Sequence, residues 1–225
     1  MLISHSHRFI FFHVAKTGGL SVRHALAPYA QEPDHFKINR PLREVDGKSN
    51  PLYAVWESLL LHATAADAQR QLPAAVFDGY FKFAFVRNPW EWQVSMYHFI
   101  LREKGHPCYP VVASLGTFDA YLDWVIRTPR PFPKGAQKRQ IDVLSDASGK
   151  LLVDRLGRYE TLSDDFRAVS RTLGIEASLP HLNRSSHGDY RNFYTPITRD
   201  KLASYFSEDI HSFGYSFEAP SDQGG

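Results

Sequence analysis

Lys16-Thr17-Gly18-Gly19 is the first of two short stretches whose residue types and spacing could bind an anion. Backbone N–H groups in a glycine-containing turn at the start of a helix, together with the helix dipole, form a site for phosphate-like groups. Lys16 would add a positive charge, and Thr17 and Ser21 would add hydroxyl donors. The ATP/GTP loop G-x-x-x-x-G-K-[ST] places its lysine after the glycines, so this stretch is not that loop. An ordinary strand-to-helix turn is the alternative interpretation.

Arg87 is the first residue of the second stretch, Arg87-Asn88-Pro89-Trp90-Glu91, whose pattern also predicts the start of a helix. Asn88 is a favourable N-cap, Pro89 suits the first helical position, and Glu91 has the spacing of a capping-box carboxylate. The helix that follows places Ser95 on the same face as Glu91. A cation and a hydroxyl at a second corner of this kind could hold a second phosphate-type group of one ligand.

Each stretch lies between a predicted strand and a predicted helix. The apolar runs at residues 9–14 and 80–86 are typical of buried strands in a parallel sheet. The first helix begins near Leu20 and is stopped by Pro28. Strands that alternate with helices predict an α/β fold with three layers and a mostly parallel central sheet. Open sheets of this class bind ligands where strands end and helices begin.

The rest of the chain predicts further elements of the same domain. Thr64 and Asp67 have capping-box spacing, Thr117 is an N-cap, and Gly174 closes a helix. The predicted elements are a helix at 65–72, a connection at 73–79, a loop at 105–110, a helix from 118, strands at 141–144 and 150–156, and helices at 164–173 and 198–213.

Length and composition restrict the class of protein. The 225 residues suit a single domain spanning 1–225, and a formal charge of +2 gives no sign of a general nucleic-acid binder. A lone Cys108 excludes an intrachain disulfide and favours a reducing compartment. The sequence shows no signal-peptide pattern and no apolar run of membrane-spanning length, so we expect no stable membrane anchor and a cytoplasmic location. Length and composition do not indicate an oligomeric state.

Both stretches resemble the nucleotide motifs of sulfotransferases. HVAKTGGLSV is similar to their 5′-phosphosulfate loop, and FAFVRNPWEWQVSMY is similar to their 3′-phosphate motif. The closest likeness is to the Golgi-type carbohydrate sulfotransferases, which include the heparan 2-O and chondroitin/dermatan enzymes, and to their bacterial relatives. Shorter matches at 157–162 and 179–183 extend the resemblance over nearly the whole length. The Golgi enzymes carry an N-terminal anchor and a stem that do not occur in this sequence, which favours a bacterial relative.

The resemblance implies a P-loop-like fold and transfer of a sulfuryl group from 3′-phosphoadenosine 5′-phosphosulfate (PAPS) to an acceptor hydroxyl, on a carbohydrate or glycan. It assigns a catalytic role to Lys16. It implies donor binding by Lys16, Thr17, Gly18, Gly19, Leu20, Ser21, Arg87, Ser95, Arg158, Tyr159 and Arg184. We expect no metal, because a sulfuryl group carries less charge than a phosphoryl group and the scattered histidines show no zinc spacing.

His62 is the predicted general base for the acceptor hydroxyl. It lies between the two nucleotide motifs and just before a capped helix, and related sulfotransferases often place a catalytic His or Glu in that interval. An imidazole can accept a proton near neutral pH. A purely structural histidine is the alternative, with Glu57 and His13 as the next candidates for the base.

Two other functions remain open from the sequence. A P-loop kinase shares the strand, loop and helix arrangement but should depend on Mg²⁺. A non-catalytic nucleotide-binding module would keep Lys16 and Arg87 and transfer nothing.

Overall fold

A four-stranded sheet runs through the computed structural model, which describes residues 1–31, 44–45, 48–49, 61–132, 136–180 and 188–218. The described residues form six strands, four of them in this sheet: β1 (Leu2–Ser4), β2 (Phe9–Phe12), β3 (Glu44–Val45), β4 (Lys48–Ser49), β5 (Phe81–Val86) and β6 (Arg155–Arg158). The sheet has the order β1-β2-β5-β6, in which β1 is antiparallel to β2 and the other three strands are parallel. β3 and β4 form a separate antiparallel pair.

Helices account for most of the remaining described elements. They are α1 (Gly19–Leu26), α2 (Ala65–Gln71), α3 (Ala74–Phe77), α4 (Pro89–Arg102), α5 (Tyr109–Leu115), α6 (Phe118–Arg127), α7 (Ile141–Leu144), α8 (Leu162–Leu173), α9 (Pro196–Tyr205) and α10 (Ser207–Phe213), with 3₁₀ turns at Ala27–Tyr29 and Tyr190–Phe193.

Both faces of the sheet are covered by helices. Side chains on a strand alternate between its two faces. On one face, the phenylalanines of β2 and β5 pack against α1 and α8, in a cluster of Phe9, Phe11, Phe83, Phe85, Val22, Leu26, Phe166 and Val169. On the other face, Ile10, Phe12, Ala84 and Val86 pack with Ala65, Ala68, Phe77, Ile141 and Leu144. The predicted α/β fold with a mostly parallel central sheet is confirmed, and the double coverage explains why the strand runs are apolar throughout.

A third apolar cluster joins α4 to the helices beside the sheet. Trp92 and Ile100 of α4 pack with Tyr121 of α6, Leu202 of α9 and Phe206. This packing fixes α4, which carries Glu91 and the candidate site residue Ser95.

The prediction of a strand at 141–144 is wrong, and of the strand predicted at 150–156 only Arg155 and Leu156 belong to a strand, β6. Ile141–Leu144 is the helix α7, and only the isolated bridge between Ser145 and Leu151 remains of the predicted hairpin. The carboxylate of Asp209 accepts the N–H groups of Gln140 and Ile141 at 3.0 and 2.8 Å, which satisfies donors at the start of α7.

The predicted single helix at 198–213 is also wrong, because the chain forms α9 and α10 on either side of Phe206. Thr195 and Thr198 cap α9 reciprocally, so it begins two residues earlier than predicted.

Short helices, α3 and α5, occupy parts of segments predicted to be a connection and a loop. The capping box at the start of α2 and the left-handed Gly174 at the end of α8 are confirmed.

Candidate functional site

Protein donors hold the backbone carbonyls of the loop between β2 and α1. The hydroxyl of Thr17 donates to the carbonyl of Val14 at 2.9 Å. The indole N–H of Trp92, on α4, donates to the carbonyl of Ala15 at 2.7 Å. Because these oxygens already accept hydrogen bonds, the loop backbone is fixed at its entry from β2.

The backbone of this loop has the alternating conformation of an anion-binding nest. Lys16 and Gly18 have φ values of 63° and 77°, while φ is not positive at Thr17 or Gly19. Successive N–H groups in such alternation converge on one concavity. Ser21 and Val22 donate their N–H groups to the carbonyl of Gly18, and the N–H groups that precede them at the start of α1 have no acceptor within the helix. The loop can therefore present several backbone donors to an anion.

Neither glycine of the loop has room for a side chain. A Cβ atom on Gly18 would lie 2.5 Å from a methyl carbon of Leu162 and 3.5 Å from the ring of Tyr159. A Cβ atom on Gly19 would lie 2.5 Å from the imidazole of His13. These close approaches explain why both positions are occupied by glycine. The contacts of Gly18 also show that Tyr159 and Leu162, which follow β6, lie against the loop.

Arg87 follows β5 and contacts residues that follow the neighbouring strands β2 and β6. It is 1% exposed, and its Nη1 donates to the carbonyl of Lys16 at 3.2 Å. Its Nη2 forms an ion pair with Glu91 at 2.8 Å. The guanidinium carbon lies 3.9 Å from the ring centroid of Tyr159, which follows β6. The structure thus brings together Lys16, Arg87 and Tyr159, as the sequence predicts for one ligand site.

The start of α4 differs from the predicted capping box. Asn88 caps the helix as expected, because its side chain accepts the N–H of Trp90. Its own N–H, however, donates to Glu160 at 2.7 Å rather than to Glu91. Glu91 is engaged with Arg87 instead, so the predicted role of Glu91 is wrong.

The side chain of Lys16 lies against α4. Its ammonium is 4.4 Å from the ring centroid of Phe99. Burial lowers the pKa of Lys16 to about 8, and the charges of Arg87 and Arg102 contribute to this shift. The carboxylate of Glu103 opposes it. Lys16 is therefore a cation near neutral pH, partly desolvated, beside a loop of backbone donors.

The other predicted donor-binding residues have different surroundings. Ser95 is buried in α4, one turn beyond Glu91, and Ser21 is buried in α1. Leu20 is 56% exposed immediately after the loop. Arg158 donates to the carbonyl of Phe213 at 2.6 Å, and its guanidinium carbon lies 4.5 Å from the ring centroid of Tyr215. The guanidinium of Arg158 thus lies at the end of α10 and beside Tyr215, whereas the ring of Tyr159 lies against Arg87. Arg184 lies outside the described residues.

The two histidines considered for proton transfer are electrostatic neighbours. His13 packs against Gly19 of the loop, and burial lowers its pKa well below the usual value. The charges of the N-terminal amine, of Arg23 and of His62 also lower the pKa of His13. A strongly depressed pKa makes His13 a weak base near neutral pH. Glu57 lies outside the described residues.

A comparison with protein-family models decides the family. The model described as "Sulfotransferase family" matches residues 1–216, which is nearly the whole chain. The chain belongs to the sulfotransferase family. Family membership supports an enzyme that transfers sulfate.

Among solved structures, this sulfotransferase is similar to mouse sulfotransferase SULT7A1 complexed with PAP, at 16% identity and a TM-score of 0.48. The match covers 92% of this chain and 85% of that one. No curated protein sequence gives a significant match.

Several residues that support the site of this sulfotransferase were missed by sequence reasoning. Trp92 holds the loop, Glu160 accepts the N–H of Asn88, and Gln140 pairs with the backbone of Arg87. Glu160 also accepts the hydroxyl of Tyr215 at 2.9 Å, and burial raises the pKa of its carboxyl group. Glu160 belongs to the segment 157–162 that resembles the family, which was the one available signal.

In the ranges that the structure describes, no three His, Cys, Asp or Glu side chains are grouped so as to hold a metal ion. No helix in those ranges combines the length and apolar character needed to cross a bilayer.

Proposed function

We propose that this sulfotransferase moves the sulfuryl group of PAPS to an acceptor hydroxyl, on a carbohydrate or glycan. The observation that carries the proposal is the hydrogen bond from Arg87 to the carbonyl of Lys16. This bond holds together Lys16, after β2, and Arg87, after β5. PAPS carries phosphate groups at its 5′ and 3′ positions, so its binding site needs a cation for each. The sugar acceptor rests on the sequence resemblance, and the cytoplasmic location and single domain stay predictions.

In this mechanism, the acceptor oxygen forms a bond to sulfur while the bond from sulfur to the 5′-phosphate oxygen breaks. The acceptor proton passes to a base, which we assign to His62. Adenosine 3′,5′-bisphosphate leaves with the bonding electrons. The ammonium of Lys16 and the loop N–H groups would stabilise the negative charge that develops on the leaving oxygen.

Lys16 supports this role through its environment. Partial burial strengthens its interaction with an anion because less water screens the charge. Its pKa of about 8 leaves it mainly protonated at pH 7. Arg87, Ser95 and Tyr159 are proposed to hold the 3′-phosphate and the nucleoside, with Arg158 and Arg184 as further candidates on the far side.

Calorimetry tests the donor, with EDTA in the buffer for adenosine 3′,5′-bisphosphate and with Mg²⁺ in place of EDTA for ATP. We expect tight binding of adenosine 3′,5′-bisphosphate without Mg²⁺ and weak binding of ATP with Mg²⁺. The reverse order would favour a kinase. PAPS consumption in an acceptor screen read by mass spectrometry would then identify the acceptor class, and binding without consumption by any hydroxyl acceptor would favour a non-catalytic module.

Arg87→Ala tests the 3′-phosphate assignment. We expect the preference for adenosine 3′,5′-bisphosphate over adenosine 5′-monophosphate to fall about 10- to 100-fold, because a charge-assisted contact contributes about 1.5–3 kcal/mol. Calorimetry with both nucleotides measures this preference. Arg171→Ala, at an exposed position of α8, is the control. An unchanged preference in Arg87→Ala would remove Arg87 from the donor site.

A further inference from the structure

Arg87 lies just beyond the hydrogen-bonded ladders of the sheet. The pairing of β2 with β5 ends at Phe12 and Ala84, and that of β5 with β6 ends at Val86 and Arg158. Backbone polar groups that are buried need hydrogen-bond partners. The partners of the Arg87 backbone therefore come from outside the sheet.

The side chain of Gln140 supplies both partners. Its Oε1 accepts the N–H of Arg87 at 2.9 Å, and its Nε2 donates to the carbonyl of Arg87 at 2.7 Å. Gln140 is 0% exposed. The carboxamide thus takes the place of a neighbouring strand for one residue. Only a side chain with a donor and an acceptor in this fork can do so.

Asp209 fixes the backbone from which Gln140 extends. Its carboxylate oxygens accept the N–H groups of Gln140 and Ile141, and its side chain is fully buried. Gln140 is thereby held at its main chain by Asp209, while its side chain holds Arg87. The arrangement links α10, the start of α7 and the end of β5.

We propose that Gln140 is a positioning residue for Arg87 and thereby sets the preference of the enzyme for a 3′-phosphorylated donor. With its backbone held, Arg87 directs its guanidinium between the carbonyl of Lys16, the carboxylate of Glu91 and the ring of Tyr159. Release of the backbone would let the guanidinium rotate away from this position. The proposal rests on the proposed function, because it assumes that Arg87 contacts the 3′-phosphate.

Gln140→Met is the first test, with Gln93→Met as its matched control. Gln93 is also a fully buried glutamine, and its Oε1 accepts the hydroxyl of Tyr121 within the α4–α6 packing. Calorimetry measures the affinity for adenosine 3′,5′-bisphosphate relative to adenosine 5′-monophosphate in the folded proteins. We expect this preference to fall about tenfold in Gln140→Met and to stay at the wild-type value in Gln93→Met, whatever each change does to the melting temperature.

Gln140→Glu gives a readout that a purely structural role would not produce. An ionised carboxylate loses the donor to the carbonyl of Arg87, whereas a protonated carboxyl group regains it. Relative to wild type at the same pH, we expect the 3′-phosphate preference to be low at pH 8 and to recover at pH 5.5. This variant also decides the question where Gln140→Met does not fold.

The outcomes separate this proposal from the proposed function. If wild type prefers the 3′-phosphorylated nucleotide and the folded Gln140 variants keep that preference at both pH values, the positioning role is overturned and the function stands. If neither variant folds, Gln140 is required for folding and the positioning role is likewise overturned. If wild type has no preference for the 3′-phosphate, the proposed donor itself is wrong.

Discussion

Lys16→Ala is expected to lower the turnover of PAPS about 100- to 1000-fold, while the affinity for adenosine 3′,5′-bisphosphate falls only moderately. The loss of one donor to a developing negative charge typically has an effect of this size. Alanine keeps a Cβ atom, so the left-handed backbone at φ 63° is as strained as in wild type and the change removes only the side-chain charge. Single-turnover rates and calorimetry with the bisphosphate measure the two quantities.

The pH dependence of the wild-type enzyme extends this test. Because the pKa of Lys16 is lowered to about 8, kcat/KM should decline as the pH rises through about 8 and Lys16 loses its proton. Lys150→Ala, in an exposed turn, should keep both the rate and the profile. Near-wild-type turnover in Lys16→Ala would show that Lys16 has no catalytic role.

His62→Ala and His62→Asn are expected to lose about 100- to 10,000-fold in kcat/KM, with bisphosphate affinity intact, if His62 is the general base. The neutral imidazole is the active form, so wild-type kcat/KM should decline on the acidic side as the base takes up a proton. Both variants should lack that acidic limb. A pH–rate profile for the three proteins measures it.

His24→Ala is the control for the histidine change, since His24 is exposed on α1. Thermal melting of each variant shows whether a loss of activity reflects unfolding. If His62→Asn folds and retains most of its rate, the role of base passes to another residue. Glu57 would then be the first to test, because burial already depresses the pKa of His13.

Local patterns in the sequence predicted the parts of the fold that depend on neighbouring residues. The β2 and β5 runs are continuously apolar because helices cover both faces of the sheet. The N-cap at Asn88 and the capping box at Thr64 depend on residues within one helical turn.

Long-range contacts explain what the sequence did not predict. At the start of α7, the N–H of Ile141 donates to the carboxylate of Asp209, which is 68 residues away in the chain. No local sequence pattern indicates this contact. Glu160, 72 residues from Asn88, takes the capping role that spacing assigned to Glu91. The left-handed conformation of Lys16 is equally non-local, because the neighbouring carbonyl of Ala15 is held by Trp92. Side chains from distant parts of the sequence thus decide how the loop bends.

The bond between Arg87 and the carbonyl of Lys16 has a consequence for how the enzyme can evolve. One side chain both shapes the loop and, in the proposed function, contacts the other end of the donor. Changes at Arg87 and in the loop should therefore be non-additive, as is usual for residues in one hydrogen-bonded network. A lineage that shifted to a donor without a 3′-phosphate would have to replace the support of the loop in the same step. Single substitutions are poor routes to such a change, so we expect donor choice to drift far less than acceptor choice.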